Sequence, residues 1–193
     1  ATAVGAVVLG GAGTAAIVNG ANAYISSTAE VSHHSTANAT GAEILSNGTA
    51  TIFNNGSIDA YAYGTNYSIA YATGVYLYSG ANARFYDYGY VSAYANVLGN
   101  SVANATGASV IGLGGAIAYV EYGGGIDSFA QAGALGHAYS TGLFSASLGN
   151  ADATVSGYVH ATADSGLSGY SYAYGVYAYS VNANATIANY GDI

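Results

Sequence analysis

The chain repeats itself, and the period constrains its fold more than any local propensity does. The dipeptides Val4-Gly5, Thr40-Gly41, Thr73-Gly74, Thr106-Gly107, Thr141-Gly142 and Tyr174-Gly175 recur at intervals of 36, 33, 33, 35 and 33 residues. A fixed period in this range is the mark of an architecture built by stacking one small unit on the next. Six copies fill the 193 residues, with boundaries near 4-39, 40-72, 73-105, 106-140, 141-173 and 174-193. A single domain is expected.

Each anchor is followed by a turn that ends in Gly: Asn19-Gly20, Asn54-Asn55-Gly56, Asp87-Tyr88-Gly89, Glu121-Tyr122-Gly123, Ser156-Gly157 and Asn189-Tyr190-Gly191. After the turn the sequence alternates. Ile58, Ala60 and Ala62 match Val91, Ala93 and Ala95, then Ile126, Ser128 and Ala130, then Val159, Ala161 and Ala163. Alternation with period two is the pattern of a half-buried strand. No segment carries a helical stripe, and the Gly, Asn, Ser, Val and Tyr content disfavours helix. Strands this short cannot bury an apolar face alone and become stable only when units hydrogen-bond along an axis. The expected fold is all-β, a parallel β-solenoid (β-helix) of about six 33-residue repeats. One three-sided coil per repeat is favoured over two narrow ones. In the unit from Thr73 to Ala95, Val75, Leu77, Val91, Ala93 and Ala95 are expected to point inward and Tyr76, Tyr78 and Tyr94 outward.

Composition agrees. There is no Pro, as befits strands whose every N–H must pair with a neighbouring coil. With Arg84 the one basic side chain and a net charge of -8, nothing is present to neutralise a phosphate backbone, so nucleic acid is excluded as a partner. Disorder requires low hydrophobicity, whereas 52% of the residues are apolar. Without Cys there is no disulfide framework and no thiol chemistry. The most apolar stretch, Ala3 to Val18, is interrupted by Gly10, Gly11, Gly13 and Thr14, and it falls short of the roughly 20 residues a membrane helix needs. No membrane span is expected. The lack of an initiating Met and of a basic export region predicts a mature or excised segment.

The segments Tyr174-Gly-Val-Tyr-Ala-Tyr-Ser180 and Asn184-Ala-Thr-Ile-Ala-Asn-Tyr-Gly-Asp-Ile193 resemble the repeats of autotransporter-type bacterial surface adhesins. The resemblance spans all six units. It implies a right-handed β-helix displayed outside a Gram-negative cell, hence an extracellular or cell-surface location, within a longer chain carrying an export signal and an outer-membrane barrel. It implies a fold more specifically than an activity.

Several residue sets invite a chemical reading. Gly11, Gly13 and Ala16 mimic a dinucleotide fingerprint with Glu30 further on, but no helix follows to meet a pyrophosphate, so no cofactor is expected. Asp87 and Glu121 occupy matching turn positions. In a one-coil-per-unit stack they would lie about 5 Å apart, close enough to share a proton or a cation, with Asn54 extending the ladder. The turn glycines Gly56, Gly89, Gly123, Gly157 and Gly191 would stack beside them. A polysaccharide lyase or hydrolase built on Asp87 and Glu121 ranks last, because a lyase wants a basic group and Arg84 is the sole candidate. Asp59 and Asp127 share a register position interrupted by Ser92 and followed by His160, a pattern of surface variation. His33, His34, His137 and His160 fall at different phases and keep no metal-ligand spacing. The six Asn-x-Ser/Thr sites, at Asn38, Asn47, Asn55, Asn66, Asn104 and Asn184, read as turn and strand residues.

Tyr carries the stronger signal. Tyr76, Phe144 and Tyr177 share one repeat position, and Tyr78 and Tyr179 another, so stacked coils would align them in partial aromatic columns. Such columns stabilise the stack and offer an amphipathic contact surface. Neither end of the sequence has the polar cap of a closed solenoid. The expectation is a non-enzymatic extracellular structural protein. It would stack head to tail with copies of itself into an appendage or filament and adhere through exposed Tyr. The alternative is an adhesin fragment with a host-surface or glycan ligand.

Overall fold

The computed structural model describes all residues, 1–193. It contains seventeen strands, numbered here in chain order, and no helix. Sheet I is formed by β1 (Thr2–Gly10), β4 (Thr36–Ser46), β7 (Ile69–Ser79), β10 (Val102–Gly112), β13 (His137–Ser147) and β16 (Tyr170–Ser180). Sheet II is formed by β2 (Ala15–Asn19), β5 (Ala50–Asn54), β8 (Asn82–Asp87), β11 (Gly115–Val120), β14 (Asn150–Val155) and β17 (Ala185–Asn189). Sheet III is formed by β3 (Tyr24–Val31), β6 (Ser57–Gly64), β9 (Tyr90–Val97), β12 (Gly125–Ala132) and β15 (Tyr158–Ser165). Every pairing is parallel and joins a strand to the third strand after it, so the chain is a β-solenoid with one three-sided coil per repeat.

The anchor dipeptides lie in the middle of sheet I, where Val4, Thr40, Thr73, Thr106, Thr141 and Tyr174 form one column. The glycine after each marks a bend. Along β7, Ala70, Ala72 and Gly74 are buried, then the phase slips and Val75, Leu77 and Ser79 are buried. A Cβ on Gly74 would stand 2.6 Å from the Gly107 carbonyl oxygen and collide with the Val91 side chain of sheet III. Gly41, Gly107 and Gly142 are hemmed in alike, by Ile58, Ile126 and Val159. Glycine is required at these positions by close approach of backbone and core.

The bend divides the interior in two. On one side the distal half of sheet I, sheet II and the first inward residue of sheet III enclose a wide core around Ile44, Ile52, Ile58, Leu77, Phe85 and Ile126, all fully buried. On the other side the remaining halves of sheets I and III face each other directly. Of the fifteen buried residues there, fourteen are Ala, so the two sheets meet with nothing larger than a methyl group over most of their contact. Ser replaces Ala in this layer at Ser27, and Ser128 and Ser140 replace both members of one pair, with Oγ atoms 2.8 Å apart and Ser140 Oγ also donating to the Ser128 carbonyl. Val75, Leu77, Val91, Ala93 and Ala95 point inward, while Tyr76, Tyr78 and Tyr94 lie half-buried on the outside.

The turn from sheet III to sheet I is four residues long in all five copies, 32–35, 65–68, 98–101, 133–136 and 166–169. Its third residue is left-handed at His34, Tyr67, Leu135 and Ser168, with φ of 55°, 60°, 65° and 66°. Gly99 takes that role one position earlier. In three of the five a backbone bond from the fourth residue to the first closes the turn: Ser68 N to Thr65 O at 3.1 Å, Gly136 N to Gly133 O at 3.0 Å and Gly169 N to Gly166 O at 3.0 Å. A positive φ at the third residue is the need of a type II turn, which glycine meets without steric cost.

Two stability changes follow. Gly107→Ala is expected to destabilise the fold by about 1–3 kcal/mol, as overpacking does, with Ile126→Ala failing to restore it because the Gly142 carbonyl remains in the way. Leu135→Gly should raise stability by up to about 1 kcal/mol, the left-handed penalty of a branched side chain less the backbone entropy of glycine. Urea denaturation of the three variants measures both.

Candidate functional site

The corner between sheets II and III holds the polar ladder. Asn19, Asn54 and Asp87 end β2, β5 and β8 and stand in one column, with side chains turned inward and buried. Asn19 Nδ2 donates to Asn54 Oδ1 at 2.8 Å, and Asn54 Nδ2 donates to Asp87 Oδ1 at 2.8 Å. Each amide also ties the next coil's corner: Asn19 Nδ2 donates to the Ser57 carbonyl at 3.0 Å and Asn54 Nδ2 to the Tyr90 carbonyl at 3.2 Å. Asn19 belongs to the ladder although its turn, Asn19-Gly20, does not look like Asn54-Asn55-Gly56.

Glu121 does not belong to it. The residue paired with Asp87 in the next coil is Val120, followed by Val155. The turn there runs over residues 121–124, two longer than the turns at 55–56 and 88–89, and only the backbone of Glu121 reaches Asp87, its N–H donating to the Asp87 carbonyl at 2.8 Å. Aligning the final glycines therefore misplaces the acid by one residue, and the shared proton or cation between Asp87 and Glu121 is not built. Gly123 is displaced by the same insertion. It sits at the exposed tip with φ of 89°, while Gly124 joins Gly56, Gly89, Gly157 and Gly191 in the glycine column. In that column a Cβ on one glycine would run into backbone of the coil before it, for example Gly157 against Gly124.

Asp87 is the chemically strained member. Burial pushes its carboxyl up from the ordinary 3.8 to about 7, against the lowering effect of bonds from Asn54 and from the backbone N–H groups of Gly89 and Gly125. Its Oδ2 is buried without a hydrogen-bond partner. The ladder explains why the neutral acid suits the site: Asn19 and Asn54 donate to the first residue of the next sheet III strand, and a protonated Asp87 is the isostere of an amide in the same position.

On the outer face of sheet III, Tyr24, Tyr90 and Tyr158 alternate with Ser57 and Gly125, and Asp59 and Asp127 alternate with Ser26, Ser92 and His160. The acids are used locally. Tyr90 Oη donates to Asp127 Oδ2 at 2.9 Å, Ser92 Oγ donates to Asp59, and His160 lies 3.3 Å from both Asp127 and Asp192. Burial and the bond to Asp127 raise the Tyr90 phenol above its ordinary value. These contacts hold neighbouring coils together on an open face. His34 stacks on Tyr67 at 5.1 Å, His137 stacks on Tyr170 at 5.3 Å, and no three His, Asp or Glu side chains converge at metal distance. Gly11 and Gly13 lie in the turn between β1 and β2, and Ala16 is on β2.

Tyr76, Phe144 and Tyr177 share one outer column of sheet I, in the order Tyr76, Ser109, Phe144, Tyr177. Only Phe144 and Tyr177 touch, at 5.7 Å and 5° between planes. Tyr78 and Tyr179 share the next column, separated by Ile111 and Ala146. A single column of three stacked rings lies elsewhere, on sheet II: Phe53, Tyr86 and Tyr119, at 4.8 and 5.6 Å. It is legible only once Phe53 is aligned with Tyr86, the position before Asn54 and Asp87.

Asp87 generates a pH dependence whose sign follows from its raised value. Below about pH 4 the carboxyl is neutral in both the folded and unfolded chain. Between about 4 and 7 the unfolded chain loses its proton first, so stability falls as pH rises, and it levels off above 7. A rise of this size corresponds to on the order of 4 kcal/mol. Asp87→Asn, whose amide reaches the Gly125 carbonyl by the ladder's register, should abolish the slope and be the more stable protein at pH 8. Equal pH profiles for the two proteins in denaturant titrations would refute the assignment.

No protein-family model, no curated protein and no solved structure matches the chain.

Proposed function

We propose that this chain is a non-enzymatic, extracellular structural solenoid, a building block of a surface appendage or self-assembling filament that adheres through Tyr-rich faces. The observation that carries the proposal is the constancy of the columns. Extended by one step, the register sets Ala173, Gly175, Ile187 and Asn189 of the sixth coil against Ala3, Gly5, Ile17 and Asn19 of another copy's first coil. Small residues meet small ones, and the amide ladder continues across the joint. The outer edges of β1, β16 and β17 carry no strand partner, and Val7 and Leu9 of β1 and Ile187 of β17 are exposed. A head-to-tail contact of this type does not close on itself and yields filaments. Charged side chains make up 5% of the chain, so backbone pairing and apolar burial direct the contact, against a mutual repulsion that a net charge of -8 supplies and that salt screens. The resemblance to autotransporter-type adhesins supports the surface location, and exposed Tyr71, Tyr139, Tyr172 and Tyr177 support adhesion.

Electron microscopy and fibre diffraction of the purified chain are the test. Filaments with an axial repeat near 4.8 Å are expected. Ile187→Lys places a charge on an inward column at the exposed end, so it should leave β-type circular dichroism intact and stop elongation. A wild-type chain that sediments as a monomer at every concentration would overturn the stacking proposal.

A further inference from the structure

Sheet I has one recessed rung. In the third coil its outward residues include Tyr71, Thr73 and Tyr76, and in the fifth they include Tyr139, Thr141 and Phe144. The fourth coil, between them, presents Asn104, Thr106 and Ser109 at the same three columns. The result is a trough along β10 with a polar floor and aromatic walls on both sides. Its distal part is a cleft lined by Thr73, Tyr76, Thr106, Ser109, Thr141 and Phe144. The glycine bend deepens it, because Gly107 and Ala108 both turn inward between Thr106 and Ser109.

We propose that this trough binds one or a few pyranose rings of a neutral glycan. The proposal gives a site and a ligand class to the adhesive part of the reading above and rests on that part, while standing apart from axial stacking. Three observations carry it. The first is spacing: in the same columns Tyr139 stacks on Tyr172 and Phe144 on Tyr177 at 5.7 Å per coil, and the missing aromatics of the fourth coil leave a cleft between Tyr76 and Phe144, above a Ser109 that its neighbours cover to 9% exposure. The second is unspent hydrogen bonding. The side chains of Asn104, Thr106 and Ser109, and those of Thr73 and Thr141 beside them in the cleft, make no bond within the protein, whereas inward-facing Ser79 and Ser180 bond to backbone carbonyls. The third is charge: the floor has no ionisable group, which suits an uncharged ligand. A sugar ring has polar edges and apolar faces, the complement of a hydroxyl and amide floor between aromatic walls. The upper wall is held rigid by its stacks on the sixth coil, so little ordering is needed on binding.

The test is titration of the purified chain with cellohexaose, maltohexaose and chitohexaose, and with hexagalacturonate as the anionic comparator. Calorimetry gives affinity, and saturation-transfer NMR gives the sugar protons in contact. At least one neutral hexasaccharide should bind, with transfer to its ring C–H protons. Ser109→Tyr completes the aromatic column, keeps the coil folded, and should weaken binding at least tenfold. Asn104→Tyr should do the same and serves if Ser109→Tyr fails to fold. Tyr139→Ala should also weaken binding tenfold, and Tyr86→Ala, on the sheet II stack, should not. The site is refuted if no neutral hexasaccharide binds at about 10 mM, a concentration that detects even millimolar affinity. It is equally refuted if only hexagalacturonate binds, if filling the rung leaves affinity unchanged, or if copies of the chain cover the face and block transfer. Repeating the titration on Ile187→Lys separates the two ideas: this variant should bind sugar as the wild type does while forming no filaments. A wild-type chain that binds sugar without forming filaments sinks stacking alone, and wild-type filaments without sugar binding sink this site alone.

Discussion

Everything in this molecule depends on the hydrogen bonds between successive coils. Of 135 backbone hydrogen bonds, 99 lie within the strands, and all the strand pairs are parallel. A parallel ladder places each residue over the one a repeat earlier, so every side chain joins a column, inside or out. The column is then the unit on which selection acts. Inside, it asks for matched volumes: Ile52, Phe85 and Ala118 follow one another in one column, with the large ring seated beside a methyl group. Outside, it favours residues that stack on their own kind, and Tyr does so without the repulsion that a column of like charges would suffer.

The corner column shows two ways of filling one position. In the first three coils Asn19, Asn54 and Asp87 chain their side chains together and close the turn by bonding to backbone. In the next two, Val120 and Val155 fill the same place as part of the apolar core. The change from polar to apolar falls on Asp87, which has an amide on one side and a Val on the other. That boundary accounts for its unpartnered oxygen and its high proton affinity. A buried polar network is stable where each member is satisfied, and the last member bears the deficit.

The period, the three-sided coil and the inward set Val75, Leu77, Val91, Ala93 and Ala95 are legible in sequence because they follow from spacing alone. The two-part interior is not, because Ala at 70, 72, 93 and 95 looks like any small-residue core until the bend at Gly74 brings sheets I and III face to face. Glu121 falls off the ladder for a related reason. Turn glycines look equivalent whatever the turn length, whereas register is set by the strands, and two additional residues before Gly125 shift the acid off the ladder. The recessed rung at Asn104, Thr106 and Ser109 is present in the repeats as a missing aromatic, but a gap acquires meaning only when both neighbours are known to stand beside it.

The corners of the coil differ in tolerance. The turn from sheet III to sheet I keeps four residues in every copy, whereas the turn from sheet II to sheet III has four residues at 20–23 and 121–124 and two at 55–56, 88–89 and 156–157. The longer versions leave the strands on either side in register. The first corner thus acts as a gauge that sets the advance of each coil, and the second is a port through which chain can be let out at no cost to the gauge. The turn from sheet I to sheet II varies too, from two residues at 80–81 to four at 11–14 and 181–184, so new loops, and whatever recognition they bring, have two corners at which to enter this solenoid, and at one of them Tyr122 already projects into solvent.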